Sequence, residues 1–206
     1  MTLAACDPRR LLAAPRFYAA AMSAIGADAA MRDFVRDVLR VKPGERVLDI
    51  GCGPGRLFPY LPPVEYRGMD ADASYIARAR AKFPQACFMH ADIVSGGDTV
   101  PPGDFDLVVA LGLLHHLPDS SARQAIACCY DVLRHGGRLI TLDCAKEHGQ
   151  TAISRLLAAC DRGRFVRSGQ GYLDLARRSF DHVAVTRREN MLRLPYLHVI
   201  LECRKP

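Results

Sequence analysis

Three acidic residues that end or follow apolar stretches could together bind a polar ligand. They are Asp49, Asp70 and Asp92. If those stretches are neighbouring parallel strands, their carboxyl ends meet at one edge of a sheet, where sheets of this kind bind ligands. Asp70 comes about 20 positions after Asp49, the spacing at which an acid accepts hydrogen bonds from ribose hydroxyls. Asp92 could accept a hydrogen bond from an adenine amino group.

Three glycines at alternate positions follow the first of these acids: Gly51, Gly53 and Gly55. Because glycine has no Cβ, the backbone can turn with positive φ and a ligand can approach it closely. The spacing G-x-G-x-G differs from the dinucleotide fingerprint G-x-G-x-x-G. A carboxylate at Asp49 would repel a pyrophosphate but suits a cation. The pattern therefore favours a nucleoside that carries positive charge and no phosphates.

Alternating strand and helix patterns position these residues. Strands are predicted over 46–50, 66–70, 87–91, 105–110 and 138–143, with helices over 73–83 and 120–133. This alternation is typical of parallel βαβ units. Two later strands, 182–186 and 196–203, are too close in sequence for a crossover helix, so we expect them to pair antiparallel. The predicted fold is α/β and three-layered, a Rossmann-like, seven-stranded, mostly parallel sheet with a C-terminal antiparallel hairpin.

Three local signals predict where helices begin and end. Asp28 is expected to cap a helix whose apolar face includes Met31, Phe34 and Leu39. A short helix over 57–61 is expected behind the glycines, with its positive N-terminus toward the ligand. Gly136 and Gly137 are expected to end the helix over 120–133.

Composition limits the class of protein. The chain has 206 residues, half of them apolar, and a formal net charge of +6. No apolar run reaches the ~18 residues that span a bilayer, and the first residues lack a signal-peptide pattern. We therefore expect a cytoplasmic location. The eight cysteines contain no C-x-x-C pair. The sequence also has no block of basic residues of the kind that would favour a nucleic-acid partner.

The ordered set of motifs resembles the class I S-adenosylmethionine-dependent methyltransferases over about residues 28–205. The resemblance rests on the segments Val47–Arg56, Gly68–Ala71, His90–Ile93, Phe105–Leu117 and Gly136–Leu139. Within it, Leu114-His115-His116-Leu117 is most similar to the small-molecule subgroup called methyltransferase type 11 or 12. The resemblance implies a methyltransferase fold with S-adenosylmethionine as cofactor and S-adenosylhomocysteine as product.

The resemblance also implies which residues bind the cofactor. They are Asp49, Gly51, Cys52, Gly53, Gly55, Asp70, Ala71, Asp92, Ile93 and Leu111. Gly51 and Gly53 would contact the methionine part, with Asp49 near its ammonium or sulfonium end. Asp70 would accept from the ribose hydroxyls. Asp92 would bind the adenine amino group.

His115 and His116 are the candidates for acid–base catalysis. A hydroxyl or carboxyl acceptor reacts better when deprotonated, and imidazole titrates in the useful range. The alternative is that the pair only orients its loop through backbone hydrogen bonds. Alignment of donor and acceptor could then supply much of the rate.

The acceptor site has further candidates in Arg162, Arg164, Arg167 and Tyr18. The arginines stand in a glycine-containing segment, where guanidinium groups could bind an anionic acceptor. A solvated loop is the alternative for the arginines, and core packing is the alternative for Tyr18. Ala110 and Gly112 offer no carboxylate near the end of the fourth strand, so no metal is predicted.

We expect one domain over residues 1–206. It would comprise a helical arm or lid at 1–40, a cofactor-binding core at 45–145 and a substrate-covering segment at 150–180. The expected activity is methylation of a small molecule, with oxygen slightly preferred and a saccharide, lipid-linked or natural-product acceptor. The alternatives are an RNA methyltransferase, prompted by the basic charge, and a non-catalytic protein that binds the cofactor.

Overall fold

The computed structural model describes residues 26–95, 104–147, 149–151, 163–189, 191 and 196–206. Helices α1–α4 span Ala27–Phe34, Ala73–Lys82, Asp119–Val132 and Gly169–Ala176. Helix α1 continues as a π-helical turn over Val35–Leu39, and 3₁₀ turns span Phe58–Tyr60 and Leu114–His116. Strands β1–β7 span Arg46–Ile50, Glu65–Asp70, Cys87–His90, Phe105–Leu111, Leu133–Cys144, His182–Arg188 and His198–Arg204.

The strands of this described part form one sheet in the order β3-β2-β1-β4-β5-β7-β6. The first five strands pair in parallel. Strand β7 pairs antiparallel with both β5 and β6. The α/β fold class predicted from the sequence is therefore confirmed, including its antiparallel C-terminal hairpin.

The core lies on both faces of the sheet because side chains alternate along each strand. On β1 and β4, Leu48 and Val108 pack with α3 and α4 on one face. Their neighbours Val47 and Leu107 pack with α1, α2 and the π-helical turn on the other. The central strands thus have two buried faces, which explains their continuous apolar runs. Among the described residues, no helix is long and apolar enough to cross a membrane.

The short helix predicted over 57–61 is present but is shorter than expected and is not α-helical. The segment forms a single 3₁₀ turn over Phe58–Tyr60, because Pro59, Pro62 and Pro63 lack the N–H groups that a longer helix needs. It cannot therefore present an α-helical N-terminus to a ligand. The ring of Phe58 instead packs on that of Tyr66, with the two centroids 5.0 Å apart.

Two helix-end predictions are wrong. Gly26 occupies the N-cap of α1 with φ 81°, while Asp28 lies in the first turn and accepts a hydrogen bond from the Tyr60 hydroxyl at 2.6 Å. Helix α3 ends at Val132, before the two glycines. Residues 133–137 are extended, because Leu133 pairs with β4 and both glycines exchange backbone hydrogen bonds with Lys205.

Candidate active site

The three glycines after β1 lie in a turn that is hydrogen-bonded to the end of β2. Gly51, Gly53 and Gly55 have φ values of 71°, 54° and 77°, a region that residues with a Cβ adopt at a cost. The backbone N–H groups of Gly51 and Cys52 both donate to the carbonyl of Met69, at 2.8 and 3.0 Å. The exit of β1 is therefore fixed relative to its neighbouring strand.

Packing leaves only one of these glycines open. A Cβ on Gly51 would stand 3.2 Å from Cδ1 of Leu113, and one on Gly55 would stand 2.9 Å from Cζ of Phe88. A Cβ on Gly53 would meet nothing within 4 Å. A side chain at Gly55 would therefore displace Phe88, and one at Gly51 would press on Leu113, whereas the space around Gly53 is available to a ligand.

Asp70 holds the open glycine in place. Its Oδ2 accepts a hydrogen bond from the backbone N–H of Gly53 at 2.8 Å, and its Oδ1 accepts from that of Asp72 at 2.8 Å. Asp72 in turn caps α2 by accepting from Ser74. A carboxylate oxygen has more than one acceptor position, so Asp70 keeps capacity for the hydroxyls of a ligand while it shapes the turn.

Asp49 is a buried carboxyl group beside this turn. It is 2% exposed, and its Oδ2 accepts a hydrogen bond from the Tyr66 hydroxyl at 2.7 Å. Burial raises the pKa of Asp49 to about 7; the charge of Asp70 adds to this rise, and the hydrogen bond from Tyr66 opposes it. A cation placed beside Asp49 would favour its ionised form.

The remaining predicted cofactor residues surround the same edge of the sheet. Asp92 accepts hydrogen bonds from the Val94 backbone and the Ser95 hydroxyl, each at 2.8 Å. Ala71 is exposed just past β2, and Leu111 ends β4. Two of the group are mostly enclosed by the core, since Cys52 is 5% and Ile93 4% exposed. Burial raises the pKa of Cys52, so it stays a neutral thiol.

The two histidines lie on the 3₁₀ turn after β4, with ring centroids 4.1 Å apart. His116 is exposed, whereas His115 is 5% exposed. Nδ1 of His115 lies 2.8 Å from Oδ1 of Asp143, at the end of β5. The same oxygen accepts from the backbone N–H of His115 at 3.1 Å. Acid–base catalysis by either histidine stays a prediction.

Asp143 is a residue that the sequence reasoning missed as a partner of His115. The signal that could have identified it is a carboxylate at the end of the strand next to β4, since parallel strands bring their carboxyl ends together.

Arg167 stabilises the loop over residues 114–117, the histidine loop. Its guanidinium donates to the carbonyls of Leu114, Leu117 and Phe165 at 2.7–2.9 Å and to Oδ1 of Asp119 at 2.7 Å. Its side chain is 11% exposed. These bonds give Arg167 a structural role, and contact with an acceptor stays a prediction.

The other predicted acceptor residues differ in what the structure says of them. Arg164 is exposed, three residues before Arg167. Arg162 and Tyr18 lie outside the described residues. Among the residues described, no group of three or more potential metal ligands occurs, and the absence of a metal stays a prediction.

Comparison with known proteins agrees with the geometry of this edge. A family model described as a methyltransferase domain matches residues 47–137, the stretch that contains the glycine turn and the carboxylates after β1, β2 and β3. Over this stretch the chain is similar to methyltransferase domains. Asp143 and Arg167 lie beyond the matched stretch.

Individual relatives match parts of the chain. An uncharacterized methyltransferase from Synechocystis sp. is 28% identical over 123 residues, covering 58% of this chain and 56% of the relative. A trans-aconitate 2-methyltransferase from Afipia carboxidovorans is 30% identical over 92 residues, covering 43% of this chain and 34% of the relative. The matches therefore span about half or less of these relatives' lengths.

A solved structure extends the likeness in fold to most of the chain. The magnesium protoporphyrin IX methyltransferase from Synechocystis, solved with bound S-adenosylhomocysteine, has a TM-score of 0.65 and 22% identity. The alignment covers 87% of this chain and 81% of that one. At this identity the comparison supports the methyltransferase fold.

Substitution of two glycines of the domain should separate packing from backbone strain. Gly55→Ala should lower the free energy of unfolding by roughly 2–4 kcal/mol, because the new methyl group meets the Phe88 ring and the backbone is strained. Gly53→Ala, with open space around it, should lower it by only about 1–2 kcal/mol. Urea denaturation of both variants and the wild type measures the difference. Equal losses would contradict the packing assigned to Gly55.

Proposed function

We propose that this protein transfers a methyl group from S-adenosylmethionine to a small-molecule acceptor. The observation that carries the proposal is the open backbone at Gly53, which is hydrogen-bonded to Asp70 and follows the buried carboxyl group of Asp49 by four residues in the chain. This arrangement suits a ligand that is cationic at one end and carries hydroxyl groups beside it. It also coincides with the stretch matched by the methyltransferase family model.

The residues present fit the cofactor. A side chain at position 53 would fill the space that the ligand needs. Gly53 has no side chain, and no other atom lies within 4 Å of its Cβ position. Asp70 would accept hydrogen bonds from the ribose hydroxyls, and Asp92 would accept one from the adenine amino group. Asp49 would lie near the cationic methionine end. When bound, S-adenosylmethionine supplies a methyl group on a positively charged sulfur, which is open to attack by an electron pair.

The chain's contribution to the reaction is alignment and charge. The fixed turn between β1 and β2 orients the donor, and the histidine loop, fastened by Arg167, forms the adjoining wall at the end of β4. Holding two reactants in line converts a bimolecular step into an effectively unimolecular one. Leu111, where β4 ends, would keep the methyl group away from water.

Support for a small acceptor comes from one relative. The trans-aconitate 2-methyltransferase is named for a small organic anion. Exposed Arg164, three residues before Arg167, could bind such an anion. We therefore propose a small acceptor that carries a negative charge, methylated at oxygen.

Calorimetric titration with S-adenosylhomocysteine tests the role of Asp70. Asp70→Asn should weaken binding roughly 10- to 100-fold, because a hydrogen bond to a charged group contributes about 1.5–3 kcal/mol. The change could also act indirectly, through the turn at Gly53. A 2′-deoxy analogue of the ligand separates the two effects.

In this double-mutant cycle the wild type should lose roughly tenfold in affinity on removal of the 2′-hydroxyl, whereas Asp70→Asn should lose little more. Equal losses in both proteins would contradict the ribose contact. Turnover is tested with radiolabelled S-adenosylmethionine and a panel of small acids, phenols and sugars. Binding without turnover across the panel would favour a non-catalytic protein.

The raised pKa of Asp49 predicts that cofactor binding depends on pH. Below about 7 the buried carboxyl group is protonated and neutral, so its attraction for a cation is present above that pH and is lost as pH falls through it. Affinity for S-adenosylmethionine should therefore rise roughly five- to tenfold from pH 6 to 7.5. The ligand's own amino group titrates near 8, so Asp49→Asn is the control. An equal pH dependence in Asp49→Asn would exclude this role for Asp49.

A further inference from the structure

We propose that Tyr66 is a positioning residue of the cofactor site, whose hydroxyl orients the carboxyl group of Asp49 and stabilises its ionised form. This inference rests on the proposed function, because it concerns how the site attracts the cationic end of the ligand. Tyr66 lies on β2, and from the sequence it is only part of a predicted strand. Its contacts distinguish it from an ordinary core residue.

The hydroxyl of Tyr66 is a buried donor to a buried carboxyl group. It donates to Oδ2 of Asp49 at 2.7 Å, and Asp49 is 2% and Tyr66 6% exposed. Oδ1 of Asp49 accepts a hydrogen bond from none of the described residues. A hydrogen bond to the charged form of a group favours that form. Within the described part of the chain, Tyr66 therefore provides the hydrogen bond that stabilises a negative charge at Asp49.

The residue beside Asp49 on β2 is a glycine, which makes room for this hydroxyl. Gly68 pairs with Asp49 in the register of the two strands. A Cβ on Gly68 would stand 2.9 Å from Oη of Tyr66 and 2.8 Å from Cδ1 of Phe88. Contacts this short force a neighbouring group to move. A side chain at position 68 would therefore press on the hydroxyl that binds Asp49.

The same space connects Tyr66 to the glycine turn. The Cβ position of Gly68 also lies 3.0 Å from Sγ of Cys52, which stands between Gly51 and Gly53 in the turn. The Cys52 thiol lies 3.5 Å from the carbonyl oxygen of Gly53. Burial, followed by the charge of Asp49, raises the pKa of Cys52, so its thiol stays neutral. The Tyr66 hydroxyl thus lies beside a residue of the turn that is proposed to hold the cofactor.

Aromatic packing fixes the ring that carries the hydroxyl. The centroid of Tyr66 lies 5.0 Å from that of Phe58 and 5.6 Å from that of Phe88. A side chain that is held by its neighbours presents its polar group in one position before a ligand arrives. The carboxyl group of Asp49 is therefore oriented by the protein itself.

The groups that face Asp49 act on its pKa in opposite directions. Burial raises this pKa to about 7, the hydrogen bond from Tyr66 lowers it, and the charge of Asp70 raises it. Burial, followed by the charge of Asp49, raises the pKa of Tyr66 itself, so its hydroxyl keeps the proton that it donates. On the other side, β4 places the apolar Val109 in register with Asp49.

Removal of the Tyr66 hydroxyl would leave burial and the charge of Asp70 unopposed. The pKa of Asp49 would then rise, because the ionised form loses its donor. The attraction of Asp49 for a cation is present above this pKa and is lost as pH falls through it. Tyr66→Phe should therefore move the pH range of this attraction upward, out of the neutral range.

Carbon NMR of the full chain with ¹³C-labelled aspartate tests this effect without cofactor or acceptor. Asp49→Asn identifies the carboxyl signal of Asp49 by its loss. In the wild type this group should titrate near pH 7, and in Tyr66→Phe it should titrate roughly one to two pH units higher. Tyr60→Phe is the matched control, because its hydroxyl donates to a different carboxylate, the exposed Asp28. An unchanged midpoint in Tyr66→Phe would overturn the proposal.

The wild type also provides an observation that does not depend on how Tyr66→Phe folds. With ¹³C-labelled tyrosine, the assigned Cζ signal of Tyr66 should change with the same midpoint as the carboxyl group of Asp49, because the hydrogen bond between them changes as Asp49 ionises. Asp49→Asn should abolish this change. A Tyr66 signal that stays constant while Asp49 titrates would contradict the proposal.

Calorimetric titration with S-adenosylmethionine gives the functional readout. Tyr66→Phe should weaken binding roughly five- to tenfold near pH 7.5 and only about twofold or less near pH 5.5 and pH 9, where both proteins carry the same charge at Asp49. In an Asp49→Asn background the same change should have no pH-dependent effect.

The pH dependence separates this role from a structural one. An equal loss of affinity at every pH would overturn the proposal, because damage to packing does not follow the ionisation of Asp49. A failure of S-adenosylmethionine to bind the wild type would instead overturn the proposed function. The NMR titration would still decide whether Tyr66 controls the charge of Asp49.

Discussion

One hydrogen bond joins the elements on which the site depends, from the N–H of Gly53 to Oδ2 of Asp70. It links the exit of β1 to the end of β2, and the same carboxylate reaches Asp72 at the start of α2. Gly53 has positive φ, and no atom lies within 4 Å of the position that its Cβ would occupy. The hydrogen bond therefore fixes an open stretch of backbone relative to the end of β2. Loss of this constraint would disturb the turn on which we propose that the cofactor lies.

Two buried carboxyl groups lie near the site, and each is hydrogen-bonded to a different side chain. Asp49 is 2% exposed and bound by the Tyr66 hydroxyl, so burial raises its pKa until it titrates near neutrality. Asp143, also 2% exposed, is bound by His115. Burial is costly for a charge, and a cation placed beside either group would reduce that cost.

Local patterns predicted the sheet well and the ends of helices poorly. Strand β1 was predicted over the residues that it occupies, because a continuous apolar run followed by glycine is decided within the strand itself. The predicted end of α3 was wrong because Leu133 pairs with β4 and the two glycines bond to Lys205, contacts that no local window contains. The contact between His115 and Asp143 joins residues 28 apart, and sequence spacing alone does not define such a pair.

The proposed function depends on where the cofactor binds. Amide chemical-shift mapping measures this location directly. Uniformly ¹⁵N-labelled protein would be titrated with S-adenosylhomocysteine. We predict the largest shifts at Gly51, Gly53 and Asp72, with smaller shifts at the end of β3 and none at β6. Shifts confined to the β6–β7 hairpin, or no shifts at saturating ligand, would contradict the central claim that the glycine turn holds the methyl donor.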